Sequence, residues 1–124
     1  MCLENAKEIT KESEKSGFGY KVFKVCRDKL HSPVMGHELW VGVWNFALAR
    51  FVDTDEEDIG FHIFTRKKDA KKYCECLATS YPADVFTIKK VEYKRATFKG
   101  VTNCEKKKLP TIVAKKMRVC KEKE

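Results

Sequence analysis

Residues 60–93, GFHIFTRKKDAKKYCECLATSYPADVFTIKKVEY, decide the fold. The first five, GFHIF, are a short apolar run rich in β-formers and predict a strand. Thr65 follows as a helix N-cap, its hydroxyl placed to accept an early backbone N–H. From 66 to 79 the apolar residues Ala70, Tyr73, Cys74 and Leu77 recur at helical spacing, which predicts an amphipathic helix. Pro82 lacks the N–H that a continuing helix needs. Residues 84–93, DVFTIKKVEY, then alternate as a long strand, with a phase shift at Lys89-Lys90 that predicts a bulge.

Working outward, residues 19–26 (GYKVFKVC) read as a strand and 27–29 as a turn. Residues 30–36, broken by Pro33 and Gly36, read as a loop or short edge strand. Residues 38–44 (ELWVGVW) predict a strand with Trp40 and Trp44 on one face. Residues 45–52 fit either a strand or a helical turn. Residues 3–15 predict a helix, with Leu3, Ala6 and Ile9 on one stripe and three Glu–Lys pairs at i,i+3. Downstream, 95–101 predict a short strand, 106–108 a basic loop, and 109–119 a last strand entered through Pro110. Residues 120–124 read as a frayed tail. The expected architecture is one α+β domain over 1–124, with an N-terminal helix within 1–16 and one main helix. Its sheet is twisted and largely antiparallel, of about five to seven strands.

The chain has 124 residues and a net charge of +8. Residues 1–88 carry 13 Lys and Arg against 14 Asp and Glu, a net −1; residues 89–124 carry 13 against 4, a net +9. The excess therefore sits in the last third of the chain, and such asymmetry points to an anionic partner or to a solubilising Lys-rich surface. No apolar run approaches the ~20 residues of a membrane span. Met1-Cys2-Leu3-Glu4 opens into charge rather than a secretory signal, so the expected setting is a reducing cytoplasm. The six cysteines are then expected as thiols. Cys74 and Cys76, two apart on a helix, would point about 200° away from each other and could not share a zinc ion. No cofactor or metal is expected. Residues 53–58, five acids in six, read as a solvated loop because they lack the glycine and spacing of a calcium loop.

The motifs at 20–25, at 60–62 running into 65–73, and at 113–115 resemble small phage- and prophage-borne proteins that begin with Met-Cys-Leu. The resemblance implies a mobile-element origin, an intracellular bacterial setting and an accessory role against host defence; it supplies no reaction. The order of strand, strand-into-helix and strand is also similar to ADP-ribosyltransferase-like folds. That similarity implies a cleft with Arg27 or His62 and an acid. The last strand carries none, so Glu38 or Glu92 would have to serve.

Two clusters are candidate anion sites. His62, Thr65, Arg66, Lys67 and Lys68 surround a helix start, where unpaired N–H groups favour an anion and three cations oppose the dipole. Lys90, Lys94 and Arg95 on one strand, with Lys115, Lys116 and Arg118 on another, would make a basic face if the strands adjoin, with Tyr93 and Phe98 interleaved. Trp40 and Trp44, with Phe46, are candidates for stacking on a base or a peptide, and equally for the core. The histidines and cysteines carry no nucleophile signature, and the chain has no phosphate-binding glycine loop. These features predict a non-catalytic protein that binds a nucleotide or nucleic acid. An ADP-ribosyltransferase-like enzyme and a module that binds a host protein are the alternatives. No membrane contact is expected, and a homo-oligomer is compatible with the sequence.

Overall fold

One strand of twenty residues organises the molecule. The computed structural model describes residues 4–31, 38–46 and 60–121. In chain order its elements are β1 (Glu4–Glu8), a 3-10 turn (Glu12–Glu14), β2 (Gly17–Cys26), β3 (Lys29–His31), β4 (Glu38–Leu39), β5 (Trp44–Phe46), β6 (Phe61–Phe64), α1 (Lys67–Ser80), β7 (Val85–Cys104) and β8 (Lys107–Val119). The expected acidic loop at 53–58 and the ambiguous stretch 47–52 lie outside the described residues.

The first half of β7 pairs with β2, from Val25 opposite Val85 to Gly17 opposite Tyr93. From Val91 to Cys104 it pairs with β8. β8 pairs with β6, and β6 meets β2 at Tyr20 opposite Phe64. The ladders β2–β7–β8–β6–β2 therefore close the antiparallel sheet on itself. β3 and β4 extend it beyond β2, β1 lies against β7, and β5 lies against β8.

Closure gives the sheet two apolar faces. Phe23, Phe61, Ile63, Val91, Met117 and Val119 fill the inner one. Val22, Phe64 and Leu109 on the outer one pack under Ala70, Tyr73 and Leu77 of α1. The strand residues in these two sets alternate along the chain, as strand side chains must. Gly19 makes the β2–β6 approach possible, because a Cβ there would lie 2.7 Å from the Phe64 carbonyl oxygen and 2.5 Å from Ile63 Cγ2.

The structure is α+β with a largely antiparallel sheet and one main helix, as expected. It differs from the sequence reading at six places, the simplest being that Lys107 and Lys108 of the expected basic loop belong to β8. The N-terminal helix is absent: Glu4–Glu8 is a strand, with Lys7 opposite Lys99 and Glu8 opposite Phe98. Pairs at i,i+3 contribute only ~0.2–0.5 kcal/mol each. The backbone of β7 and the burial of Ile9 outweigh them. Residues 84–93 and 95–101 are one strand, and its ladder with β2 runs unbroken through Lys89 and Lys90. The irregularity comes later, with Arg95 at φ +55° and a register shift between Ala96 and Phe98. The strand expected at 38–44 is interrupted by a bend at Gly42 (φ +80°). Asn45 closes this bend, accepting from the Trp40 N–H at 3.1 Å and donating to the Trp40 carbonyl at 3.0 Å. The cap of α1 is Arg66 rather than Thr65, and no side chain caps it. Finally, Cys76 and Cys104 are joined by a disulfide that ties α1 to the end of β7. Their separation of 28 positions hides the proximity that the fold creates. Among the described residues, no helix is long and apolar enough to cross a membrane.

Candidate functional site

The basic residues of the last two strands do meet. β8 places Lys116 opposite Lys94 and Arg118 opposite Glu92. On its other edge Trp44 of β5 lies opposite Arg118, and Phe46 opposite Lys116. On the far edge of β7, Glu92 faces Phe18 and Lys90 faces Tyr20 of β2. Directly opposed residues of an antiparallel ladder share a face. One row across the sheet therefore reads Trp44, Arg118, Glu92, Phe18, and the next reads Phe46, Lys116, Lys94.

Three cations converge on one ring. Lys94 Nζ, Lys116 Nζ and the Arg118 guanidinium carbon lie 4.8, 5.1 and 4.7 Å from the Trp44 centroid. Lys116 also lies 5.0 Å from the Phe46 ring, and Lys90 lies 5.3 Å from Phe18. Each such contact at an exposed site is worth ~0.5–1 kcal/mol. Two like charges 4 Å apart in water repel by a similar ~1 kcal/mol, so the rings only offset the crowding. Arg118 is ion-paired with Glu92. Among the described residues no carboxylate pairs with Lys94 or Lys116. Phe46 and Phe18 remain 58% and 59% exposed, so flat apolar surface lies open beside the excess charge.

The expected aromatics are elsewhere. Tyr93 is buried on the inner face. Phe98, with Arg95, Glu8, Ile9 and Lys15, lines a separate cleft of about 290 Å³ between β1 and β7. Lys115 is half-buried. Trp40 is exposed but sits on the far side of the Gly42 bend from Trp44. Phe18, Phe46 and Glu92 complete the face. Phe18 lies just outside the strand read from the sequence and Phe46 in the stretch it left ambiguous, and the register that aligns them with Glu92 leaves no mark in the sequence.

The helix start is built differently. Thr65, Arg66, Lys67 and Lys68 are exposed. Arg66 donates from Nε to Asp69 Oδ2 at 2.7 Å and from Nη2 to Oδ1 at 3.3 Å. Asp69 is buried at the third helical position, so the chain supplies its own anion to the helix N-terminus. His62 is buried in β6, and its Nε2 meets no partner among the described residues. Burial, and then the Lys21 charge, pushes its pKa down to about 3, so the imidazole stays neutral. Lys21 is itself buried; its ammonium donates to the His62 carbonyl at 3.2 Å and sits 6.0 Å from the Phe61 ring. Desolvation pushes the Lys21 pKa down to about 8. Arg27 occupies the β2–β3 turn at φ +53°. Among the described residues no three His, Cys, Asp or Glu side chains gather as a metal ion would require. Comparison of the chain with protein-family models, with curated proteins and with solved structures gives no match.

Proposed function

We propose that this protein binds, without transforming it, a phosphate-bearing ligand with a planar base, a nucleotide or a nucleic acid, on the face built by Trp44, Phe46, Lys94, Lys116 and Arg118. The convergence of three cations on the Trp44 ring against one carboxylate carries this reading. Phosphate would neutralise charge that the described residues leave unmatched, and a base would stack on aromatic surface that they leave open. Joined to the resemblance to phage accessory proteins, the reading makes the ligand a nucleotide signal or nucleic acid of the host.

The test is binding of labelled nucleotides and oligonucleotides, followed by fluorescence anisotropy across a salt series. Affinity is expected to fall with salt, and the double reversal Lys94→Glu/Lys116→Glu to weaken it about a hundredfold. If no nucleotide or oligonucleotide binds at low salt, the reading fails. One observation favours a second reading, a protein-binding module: Trp40, Val41 and Val43 are 64%, 49% and 49% exposed. That module would bind with little salt dependence and lose its partner on Trp40→Ala.

A further inference from the structure

We infer that the ligand is a single strand of nucleic acid that runs across the sheet, from Trp44 and Phe46 on β5 to Phe18 on β2. This rests on the reading of the Trp44 face as a site for phosphate and base. What extends it is the second aromatic end. Phe18 lies in the same cross-sheet row as Trp44, three strands away, exposed and with Lys90 over its ring. Neighbouring strands are ~4.8 Å apart, so the backbones that carry the two rings stand about 14 Å apart along the sheet. A nucleotide advances ~3.4 Å along its strand when stacked and further when its bases are splayed onto separate rings, so three steps of about 5 Å, four nucleotides in all, put one base on each ring. A lone nucleotide carries one base and can occupy only one end.

The charges agree with a polymer. Lys116 and Lys94 sit beside the β5 end and Lys90 beside the β2 end, so a backbone crossing the strands meets a cation near each aromatic. Glu92, between the ends, is engaged by Arg118 and repels phosphate from the middle of the row. A duplex buries the faces of its bases in its own stack and offers none to rings on an open sheet, whereas a single strand offers them all.

The experiment uses the full chain and a thymidine series, from the mononucleotide through the di- and tetranucleotide to the octanucleotide, with a hairpin duplex alongside. Affinity is expected to climb with length to about four nucleotides and then level off. About three lysine–phosphate contacts predict a log–log salt slope near −2 for the longer strands. Phe18→Ala should weaken the tetranucleotide about tenfold and leave the mononucleotide unchanged, while Trp44→Ala weakens both. Phe18 is exposed, and thermal melting checks that its variant stays folded. A mononucleotide that binds as tightly as the tetranucleotide overturns the crossing path and leaves the nucleotide site at Trp44 standing. So does a Phe18→Ala variant that holds the tetranucleotide at full strength. A hairpin that competes as well as the single strand overturns the single-strand assignment. Absence of binding across the whole series overturns this inference and the underlying reading together.

Discussion

Two places in the molecule crowd positive charge, and they resolve the crowding in opposite ways. At the start of α1, Arg66, Lys67 and Lys68 stand against a helix dipole that disfavours them. The buried carboxylate of Asp69 answers with a two-point ion pair to Arg66. On the outer sheet face, Lys94, Lys116 and Arg118 crowd one indole ring, and among the described residues the only acid beside them is already held by Arg118. The first cluster is complete within the chain. The second is complete only with something added. A count of cations does not separate these cases; the position of the nearest carboxylate does.

The sharpest separation of the two regions is to loosen one and leave the other. The Cys76–Cys104 bond closes 28 residues and holds α1 on the β7–β8 hairpin. Loop-closure entropy assigns such a bond about 3–4 kcal/mol. Cys76→Ser/Cys104→Ser should lose that much in urea unfolding and keep its affinity at the Trp44 face, which shares no residue with the disulfide. A binding loss matching the stability loss would show that the regions are not separate.

A third cation extends the comparison into the interior, where Lys21 has a carbonyl and a ring for company but, among the described residues, no acid. Its pKa is about 8 in the fold against 10.5 when unfolded. Below pH 8 both states hold the proton, and folding bears the full cost of a buried ammonium. Between pH 8 and 10.5 the unfolded chain holds more protons, so stability rises with pH, by about 3 kcal/mol over the interval. The difference in unfolding free energy between the native chain and Lys21→Met should follow that rise and be level below pH 8. A difference independent of pH would mean that Lys21 keeps access to water.

The smallest effect tests the self-contained cluster. Asp69→Ala removes the anion from the helix start and leaves Arg66 without its partner. Arg66 is half exposed, so the expected loss is about 1–2 kcal/mol. The variant should also gain a weak site for inorganic phosphate at the helix start, read as phosphate-induced shifts of the backbone amides of residues 67–69 that the native chain does not show there. No gain would mean that Asp69 does not stand in for an external anion.

The pattern of residues 60–93 carried β6, α1 and the start of β7 into the structure nearly intact, because strand and helix periods differ sharply there. Adjacency of the two late basic strands was a condition the sequence left open; β7 and β8 meet it, which brings Lys94, Lys116 and Arg118 together. Partners supplied by remote backbone were not legible. Residues 4–8 read as a helix because their charges are spaced for one, but β7 offered them a ladder. Tyr93 looked like part of the basic face, yet strand alternation turns it inward with Val91, while Trp44 arrives from the other edge of β8. Asp69 sat in plain view at the helix start. Its weight came from a burial that the sequence does not state.

The closed circuit of ladders also sets an order of events in time. β7 and β8 are joined by the two-residue turn Glu105–Lys106 and can find each other quickly. β2 meets β3 at once through the turn at 27–28, but its long ladder with β7 needs residues 60 to 76 positions further along the chain. Long-range pairing of this kind folds slowly. During synthesis β2 leaves the ribosome with Val22 and Phe23 uncovered, and both are satisfied only after β7 has emerged. The late hairpin is therefore the template on which the first half of the protein is assembled.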